Sequence, residues 1–221
     1  MPGKSKTPAV TEEKIVIKSP NIQSATFKIV GTSPYVQHRF TTKALLEMHE
    51  GQRQGAAASN KKKREPKDFE AEFRDAQHVS TEGWWGIPAT AMKRALVSAC
   101  SLCGIYMTRA KKILRVEADG IDQNDGTPLI RITKGEPQPL EVPVRIANGR
   151  CDLRTRPMWL PGWEALVTIR YDADQLTKSD LANLMVRAGL QVGIGEGRAD
   201  SPNSCGQDWG YFRVFDGEED K

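Results

Sequence analysis

A glycine-rich segment near the C-terminal end carries the sharpest chemical pattern in the sequence. Gly193, Gly195 and Gly197 occupy alternate positions, and Arg198 follows them. Glycine adopts positive φ and lets a backbone approach a ligand closely, and a guanidinium is a forked donor suited to phosphate. The segment follows a predicted helix and precedes a predicted strand, the reverse of the order in a dinucleotide-binding fold. The pattern therefore favours a backbone or phosphate contact, with a helix cap and tight turn as the alternative.

Basic and acidic residues are segregated along the chain. The 32 lysines and arginines and the 28 aspartates and glutamates give a formal net charge of only +4. Bases cluster in residues 38–67, 93–115 and 145–156, and acids cluster in residues 117–125, 172–180 and 216–220. A face that binds a polyanion needs such segregation, although unmixed solvated faces explain it equally well.

The nucleic-acid contacts that the sequence predicts come from these basic segments and from the glycine-rich segment. One run, Lys61-Lys62-Lys63-Arg64, lies in a low-complexity stretch without large apolar residues, which predicts an unpacked loop. The full set is His38, Arg39, Lys43, Lys61, Lys62, Lys63, Arg64, Trp84, Lys93, Arg94, Arg109, Lys111, Lys112, Gly193, Gly195, Gly197 and Arg198.

The tryptophans divide into a possible stacking platform and core residues. Trp84 and Trp85 are adjacent, and exposed indoles in a basic surrounding stack unpaired bases. Neighbouring side chains on a strand point to opposite faces, so we expect one of the two in the core and one on the surface. Trp159, Trp163 and Trp209 are expected in the core or at an interface.

The histidines give little support for catalysis. His38, His49 and His78 are not near a serine or acidic motif in the sequence, so no catalytic triad is predicted. His38 is the candidate general base for RNA cleavage through the 2′-hydroxyl, and a surface histidine beside a turn is the plain alternative.

The cysteines do not predict a metal site. Cys100 and Cys103 are three residues apart, whereas Cys151 and Cys205 are single and distant. A zinc ribbon needs a second Cys-x-x-Cys pair, so the thiols are expected to act as small buried apolar groups. No metal and no cofactor is predicted.

Length and composition indicate an ordinary globular chain. It has 221 residues, of which 38% are hydrophobic and 27% are charged. No apolar run approaches the roughly 18 residues of a membrane span, and the N-terminus lacks a signal-peptide core, so a cytoplasmic location with reduced thiols is expected. We expect a flexible arm over residues 1–22, one domain over residues 23–215 and an acidic tail over residues 216–221.

The order of predicted elements indicates an α+β fold. Alternating apolar residues predict strands at residues 25–29, 164–171 and 211–215. A helical pattern ends at Gly104, and a second helix begins with a capping box at Thr177 and ends at a Gly189 C-cap. The order favours a ferredoxin-like βαββαβ core, with a long basic insertion at about residues 50–80 and hairpins at about residues 113–157.

These features resemble a known superfamily. The frame, with a helix, a glycine-rich loop and a final strand, resembles the RAMP superfamily, in particular the RNA-binding backbone subunits of CRISPR effector complexes. Ordered motifs across residues 27–214 are also similar to a family of uncharacterised tailed-phage proteins. They include Gly31-x-x-Pro34-Tyr35-x-x-His38-Arg39-Phe40, Asp68-Phe69-Glu70-Ala71, Gly86-Ile87-Pro88-Ala89, Ile169-Arg170-Tyr171 and Val192-Gly193-Ile194-Gly195-Glu196.

The resemblance implies a palm that holds single-stranded RNA, a basic thumb-like insertion, and copies that stack side by side along the strand. It places His38 and Arg39 at the exit of the first strand, Lys93 and Arg94 at the helix start, and residues 193–198 at the backbone of the ligand. The stretch over residues 199–206 departs from the shorter turn of the superfamily.

The sequence therefore predicts a non-catalytic single-stranded nucleic-acid-binding protein that is phage-encoded and self-associates along its ligand. RNA is favoured, and single-stranded DNA is the other candidate. A metal-independent endoribonuclease using His38 is one alternative. A protein-interaction role, as a virion component or as an inhibitor or mimic of a host nucleic-acid-binding complex, is the second. No membrane partner is expected.

Overall fold

The structure is a computed structural model that describes residues 17–40, 42–54, 66–145, 151–201, 207–215 and 217. The predicted contacts Lys61, Lys62, Lys63 and Arg64 lie outside the described residues, as do Cys205 and most of the predicted acidic tail. The backbone of Lys43 lies in a helix, but its side chain is outside the described part.

The secondary structure mixes helices with antiparallel strands, so the protein is α+β. The strands are β1 (Ile22–Gly31), β2 (Tyr35–Val36), β3 (Gly86–Pro88), β4 (Leu114–Val116), β5 (Gly120–Ile121), β6 (Pro128–Lys134), β7 (Pro137–Arg145), β8 (Cys151–Trp159), β9 (Glu164–Asp172) and β10 (Phe212–Val214). The α-helices are α1 (Thr42–Gln54), α2 (Phe69–Asp75), α3 (Ala89–Ser101), α4 (Met107–Ile113) and α5 (Lys178–Arg187). No helix in these ranges is long and apolar enough to cross a membrane.

The main sheet is built on the β1–β9 pair. β1 pairs with β9 on one side and with the short strand β10 on the other, and both pairings are antiparallel. The far edge of β9 is shared, because β4 lies opposite Ile169 to Tyr171 while β6 lies opposite Ala165 and Glu164. β3 and β5 then extend this edge by pairing with β6.

Alternating side chains explain why β9 occupies the centre of the sheet. Ala165, Val167 and Ile169 are buried, whereas Leu166 and Arg170 on the opposite face are exposed. The structure confirms the predicted alternation, in which the side chains on one face of β9 are buried and those on the other face are more exposed.

Two helices cover the buried face of the sheet. α3 contributes Met92 and Leu96 to the core, and α5 contributes Leu181, Leu184 and Met185. The sequence signals for both helices are confirmed, including the capping box between Thr177 and Asp180 that begins α5.

The predicted C-cap at Gly189 is wrong. After α5 the chain continues in one wider π-helical turn, Ala188–Val192, which ends at Gly193 with φ at 74°. Gly189 is needed for another reason, since a Cβ atom there would lie 2.0 Å from the carbonyl oxygen of Phe212. The glycine lets β10 pack directly against this turn.

The second sheet has the order β2-β8-β7, and its strands β7 and β8 form a long hairpin. Its base is fixed by aromatic packing, because the Tyr35 ring lies 5.5 Å from the rings of both Trp159 and Trp163. Both tryptophans are fully buried, as predicted. The hairpin thereby stands in a fixed position next to the chain that leaves β2.

Candidate functional site

A cleft of about 870 Å³ opens where four parts of the chain meet. Its walls come from the segment after β2, the start of α3, strand β7, residues 194–198, and Ser201, Gln207 and Trp209. It brings together five of the residues that the sequence predicts as nucleic-acid contacts: His38, Arg94, Gly195, Gly197 and Arg198. These residues are far apart in the chain, so the fold creates the grouping.

The glycine loop, which we define as residues 193–198, forms one wall of the cleft. Gly193, Gly195 and Gly197 have φ angles of 74°, 82° and 73°, which confirms the predicted positive φ. A Cβ at Gly195 would lie 2.5 Å from the carbonyl oxygen of Val36, and one at Gly197 would lie 2.5 Å from the Trp209 ring. The close approach that needs glycine is therefore made to the protein itself.

Some amides of the glycine loop hold it in place, and others are free. Ile194 donates its N–H to the carbonyl of Gly210 at 3.0 Å, and Glu196 donates to the carbonyl of Val36 at 2.9 Å. Within the described part of the chain, the N–H groups of Gly195 and Gly197 donate no hydrogen bond, while Arg198 folds back on the loop and its Nη1 donates to the carbonyl of Gly195 at 3.0 Å. Unpaired backbone amides in such a loop attract anions.

The start of α3 adds positive potential to the cleft. Pro88 is the N-cap residue and gives no side-chain cap, and the first turn of the helix carries no acidic residue. Thr90 lines the cleft, and Arg94 extends an exposed guanidinium into it one turn later. An uncapped helix N-terminus carries partial positive charge, which the Arg94 guanidinium reinforces.

Lys93 lies on the other side of the same helix. It lines a separate groove of about 620 Å³ together with Arg115 and Arg170, and Thr90 borders both this groove and the cleft. Arg170 is partly neutralised by Glu117, at 3.6 Å between Nε and Oε1. The two predicted residues at the helix start therefore face neighbouring cavities.

His38 is half-exposed at the edge of the cleft. Burial and the Arg156 charge lower its pKa below the ordinary value of 6.5, Glu196 raises it in part, and Arg154 lowers it further. The Glu196 carboxylate is itself held by Arg156, at 2.8 Å between Oε2 and Nε, and lies 3.9 Å from His38 Nδ1. The imidazole is therefore held in its neutral form near pH 7.

Arg39 does not belong to the cleft, and its predicted role as an exposed contact is corrected. It is only 5% exposed, and its Nη1 donates to the carbonyl of Asp75 at 2.7 Å. Its Nε lies 3.8 Å from a carboxylate oxygen of Asp122 and 3.7 Å from one of Asp125. A buried guanidinium between two carboxylates ties segments of the fold together and is not available to a ligand.

His78 joins this buried cluster through Asp122, which is distant from it in the sequence. Its Nδ1 lies 2.8 Å from Asp122 Oδ2. His78, Asp122 and Asp125 have ligand atoms within 4.8 Å of one another, a spacing that a metal ion could use. The Arg39 guanidinium lies beside both carboxylates and offsets part of their charge, so these contacts favour a charge network over a metal site.

Four other predicted contacts lie away from the cleft. Trp84 is half-buried, donates its Nε1 hydrogen to Glu82 at 3.1 Å and packs against Gly120. The others are the exposed α4 residues Arg109, Lys111 and Lys112, and Arg109 bonds to Gln175. None of the four lines the cleft or the groove.

The predictions about side-chain burial hold only in part. Trp84 and Trp85 are both half-buried, but Trp85 packs against the hydrophobic core, whereas Trp84 is outside it and donates an exposed hydrogen bond to Glu82. Cys100 is buried as predicted, but Cys103 and Cys151 are exposed, since α3 ends before Cys103 and Cys151 lies at the far end of the hairpin.

Trp209 is a cleft residue that the sequence did not indicate as a contact. We expected it in the core or at an interface, but it is half-buried and lines the cleft. Its neighbours give a signal in retrospect, because Asp208 and Gly210 both adopt positive φ, at 53° and 77°. An aromatic residue between two turn-forming residues is placed on a loop and not on a strand.

Comparison with known proteins leaves the site to be interpreted on its own geometry. No protein-family model matches the chain, and no curated protein matches it. The chemistry of the cleft is therefore inferred from its donors, charges and shape.

Proposed function

We propose that this protein binds single-stranded nucleic acid in the cleft and does not catalyse its cleavage. The observation that carries the proposal is the convergence of Arg94, Arg198 and the unpaired amides of the glycine loop in one cavity. Charged guanidinium groups and free N–H groups together match the oxygens of a phosphodiester backbone.

A continuous path for a polymer supports the choice of a strand over a single nucleotide. The cleft and the neighbouring groove meet at Thr90, and Arg94 and Lys93 stand on either side of that meeting point. Basic residues distributed along a groove track successive phosphates of a single strand. The flexible backbone of an unpaired strand can follow both cavities, so we propose an unpaired ligand, with RNA favoured.

The strand order supports the further proposal of a RAMP-like, ferredoxin-like core. The order is β10-β1-β9 followed by β4 and β6, with α3 between β1 and β4 in the chain and α5 between β9 and β10. This is the order expected of a βαββαβ unit whose second strand position is shared by two short segments. In that interpretation the glycine loop precedes the last strand, where the resemblance to RAMP proteins requires it.

Charge reversal of Arg94 tests the proposed site. We expect Arg94→Glu to weaken binding to labelled single-stranded RNA about tenfold and to lower the salt slope by about one, because one phosphate contact is lost. The measurement is fluorescence anisotropy across a salt series. Arg187→Glu is the matched control, since Arg187 is exposed on α5 and outside the cleft. Equal losses in both variants, or no loss in Arg94→Glu, would place the ligand elsewhere.

An RNA-cleaving enzyme is the second candidate, because His38 borders the same cleft in its neutral form. A neutral imidazole can accept the proton of a 2′-hydroxyl. Labelled RNA incubated with the protein in the presence of a chelator distinguishes the two candidates. Our proposal predicts intact RNA, and cleavage products that vanish in His38→Ala would favour the enzyme.

A further inference from the structure

Trp209 is held in place by the glycine loop. The Trp209 N–H donates to the carbonyl of Gly197 at 3.3 Å, and the next residue, Gly210, donates to Pro34 at 2.7 Å. A Cβ at Gly197 would lie 2.5 Å from Cε3 and 3.0 Å from Cδ2 of the indole. The ring therefore rests against bare backbone on one side, and its orientation is fixed before any ligand arrives.

The polar edge of this indole distinguishes Trp209 from the structural tryptophans. Trp163 is fully buried and donates its Nε1 hydrogen to the carbonyl of Ser33 at 3.1 Å, and Trp85 donates to Gln77 at 2.9 Å. Among the described residues, nothing accepts a hydrogen bond from Trp209 Nε1, and this atom is not one of the buried unpaired polar atoms. The indole N–H therefore remains open to solvent.

The surroundings of Trp209 suit a nucleobase attached to a phosphate. The cleft that the indole lines also holds the guanidinium groups of Arg94 and Arg198, and apolar surface from Val142 and Pro143 on the β7 hairpin. A rigid aromatic ring beside cations is the arrangement that stacks unpaired bases while the cations hold the backbone. A purely structural tryptophan needs neither the cations nor the open N–H.

We propose that Trp209 is the base-stacking residue of the cleft, so that one unpaired base lies on the indole while its phosphate lies at Arg198 and the free amides of the glycine loop. This inference rests on the proposed function and deepens it, because it makes the bases, and not only the phosphates, contribute to affinity. The indole packs directly on Gly197, where a Cβ atom would collide with the ring, and this explains why the loop contains a third glycine.

The test compares two labelled oligonucleotides of equal length, one with bases and one in which every site is abasic. We expect wild-type protein to bind the base-containing strand roughly tenfold more tightly. Trp209→Ala should remove this difference and leave affinity for the abasic strand unchanged, and Trp209→Phe should retain most of it because the ring is kept. Trp84→Ala, which changes an indole outside the cleft, should behave as wild type.

The outcomes separate this inference from the function on which it rests. If wild-type protein binds neither strand, both are overturned. If it binds both strands equally, the cleft is a phosphate site and the role of Trp209 is overturned while the proposed function stands. A Trp209→Phe variant that loses affinity for both strands alike would make the indole a structural support, and this also overturns the inference.

Discussion

The environment of His38 decides which chemistry its imidazole can perform. Burial and the Arg156 charge lower its pKa from 6.5, so the free protein keeps the ring neutral. A phosphate bound beside the ring would favour the imidazolium and raise this pKa again. Binding must then take up a proton, and affinity must rise as the pH falls through the pKa of the bound state.

We therefore predict that affinity for single-stranded RNA increases about two- to fivefold when the pH is lowered from roughly 7.5 to 5.5. Anisotropy titrations at constant ionic strength measure this change. His38→Gln should flatten the profile, because the amide does not titrate in this range. The same slope in both proteins would assign the pH dependence to another group and remove His38 from the ligand.

At the scale of residues, the sequence predicted the glycine loop, Arg94 and His38 as nucleic-acid contacts, and the structure places them along one cleft. The sequence did not predict the burial of Arg39, because its charge partners Asp122 and Asp125 lie in a distant segment. A basic residue just after a predicted strand has the same local sequence pattern whether its side chain faces solvent or a buried carboxylate. Only the tertiary contacts separate the two cases.

The glycine loop is the element on which the shape of the cleft depends. Its positive φ angles are one requirement, and its contact with β2 is another, since Gly195 lies directly against the carbonyl oxygen of Val36. Gly104 provides a comparison within the same chain. It has φ at 74°, but no atom lies within 4 Å of where its Cβ would be.

We predict that Gly104→Ala lowers the free energy of unfolding by about 1 kcal/mol, the strain of positive φ alone. Gly195→Ala should cost about 2–4 kcal/mol, because the new methyl group must also displace backbone. Urea unfolding at equilibrium measures both values. Equal losses in the two variants would mean that the loop does not pack against β2 as described.

Local patterns predicted some elements well because the signal is itself local. The alternation in β9 and the capping box of α5 each depend on residues a few positions apart. The role of Gly189 could not be predicted in this way, since its lack of a Cβ is required by Phe212 on β10. The helical segment ends four residues later at Gly193, which adopts positive φ and donates its N–H to the carbonyl of Ala188.

At the scale of the whole molecule, the α+β class was predictable from the sequence, but helices α1, α2 and α4 were not predicted, and the long-range strand pairs have no local signal. β1 pairs with β9 and β10, which follow it only after most of the chain. The sharing of the β9 edge between β4 and β6 has no signature in either strand. The charge segregation seen in the sequence is likewise resolved only by folding, which directs Arg94 and Arg198 into one cleft and Arg39 into the core.

The central claim is that this cleft binds an unpaired strand through its phosphates. Anisotropy with matched single-stranded RNA, single-stranded DNA and duplex DNA over a salt series tests it most directly, with stoichiometry measured on strands of increasing length. We predict tight binding to single strands that weakens steeply with salt, RNA before DNA, weak binding to the duplex, and more copies on longer strands. No binding at low salt, or affinity that salt does not change, would contradict the claim and direct attention to a protein partner.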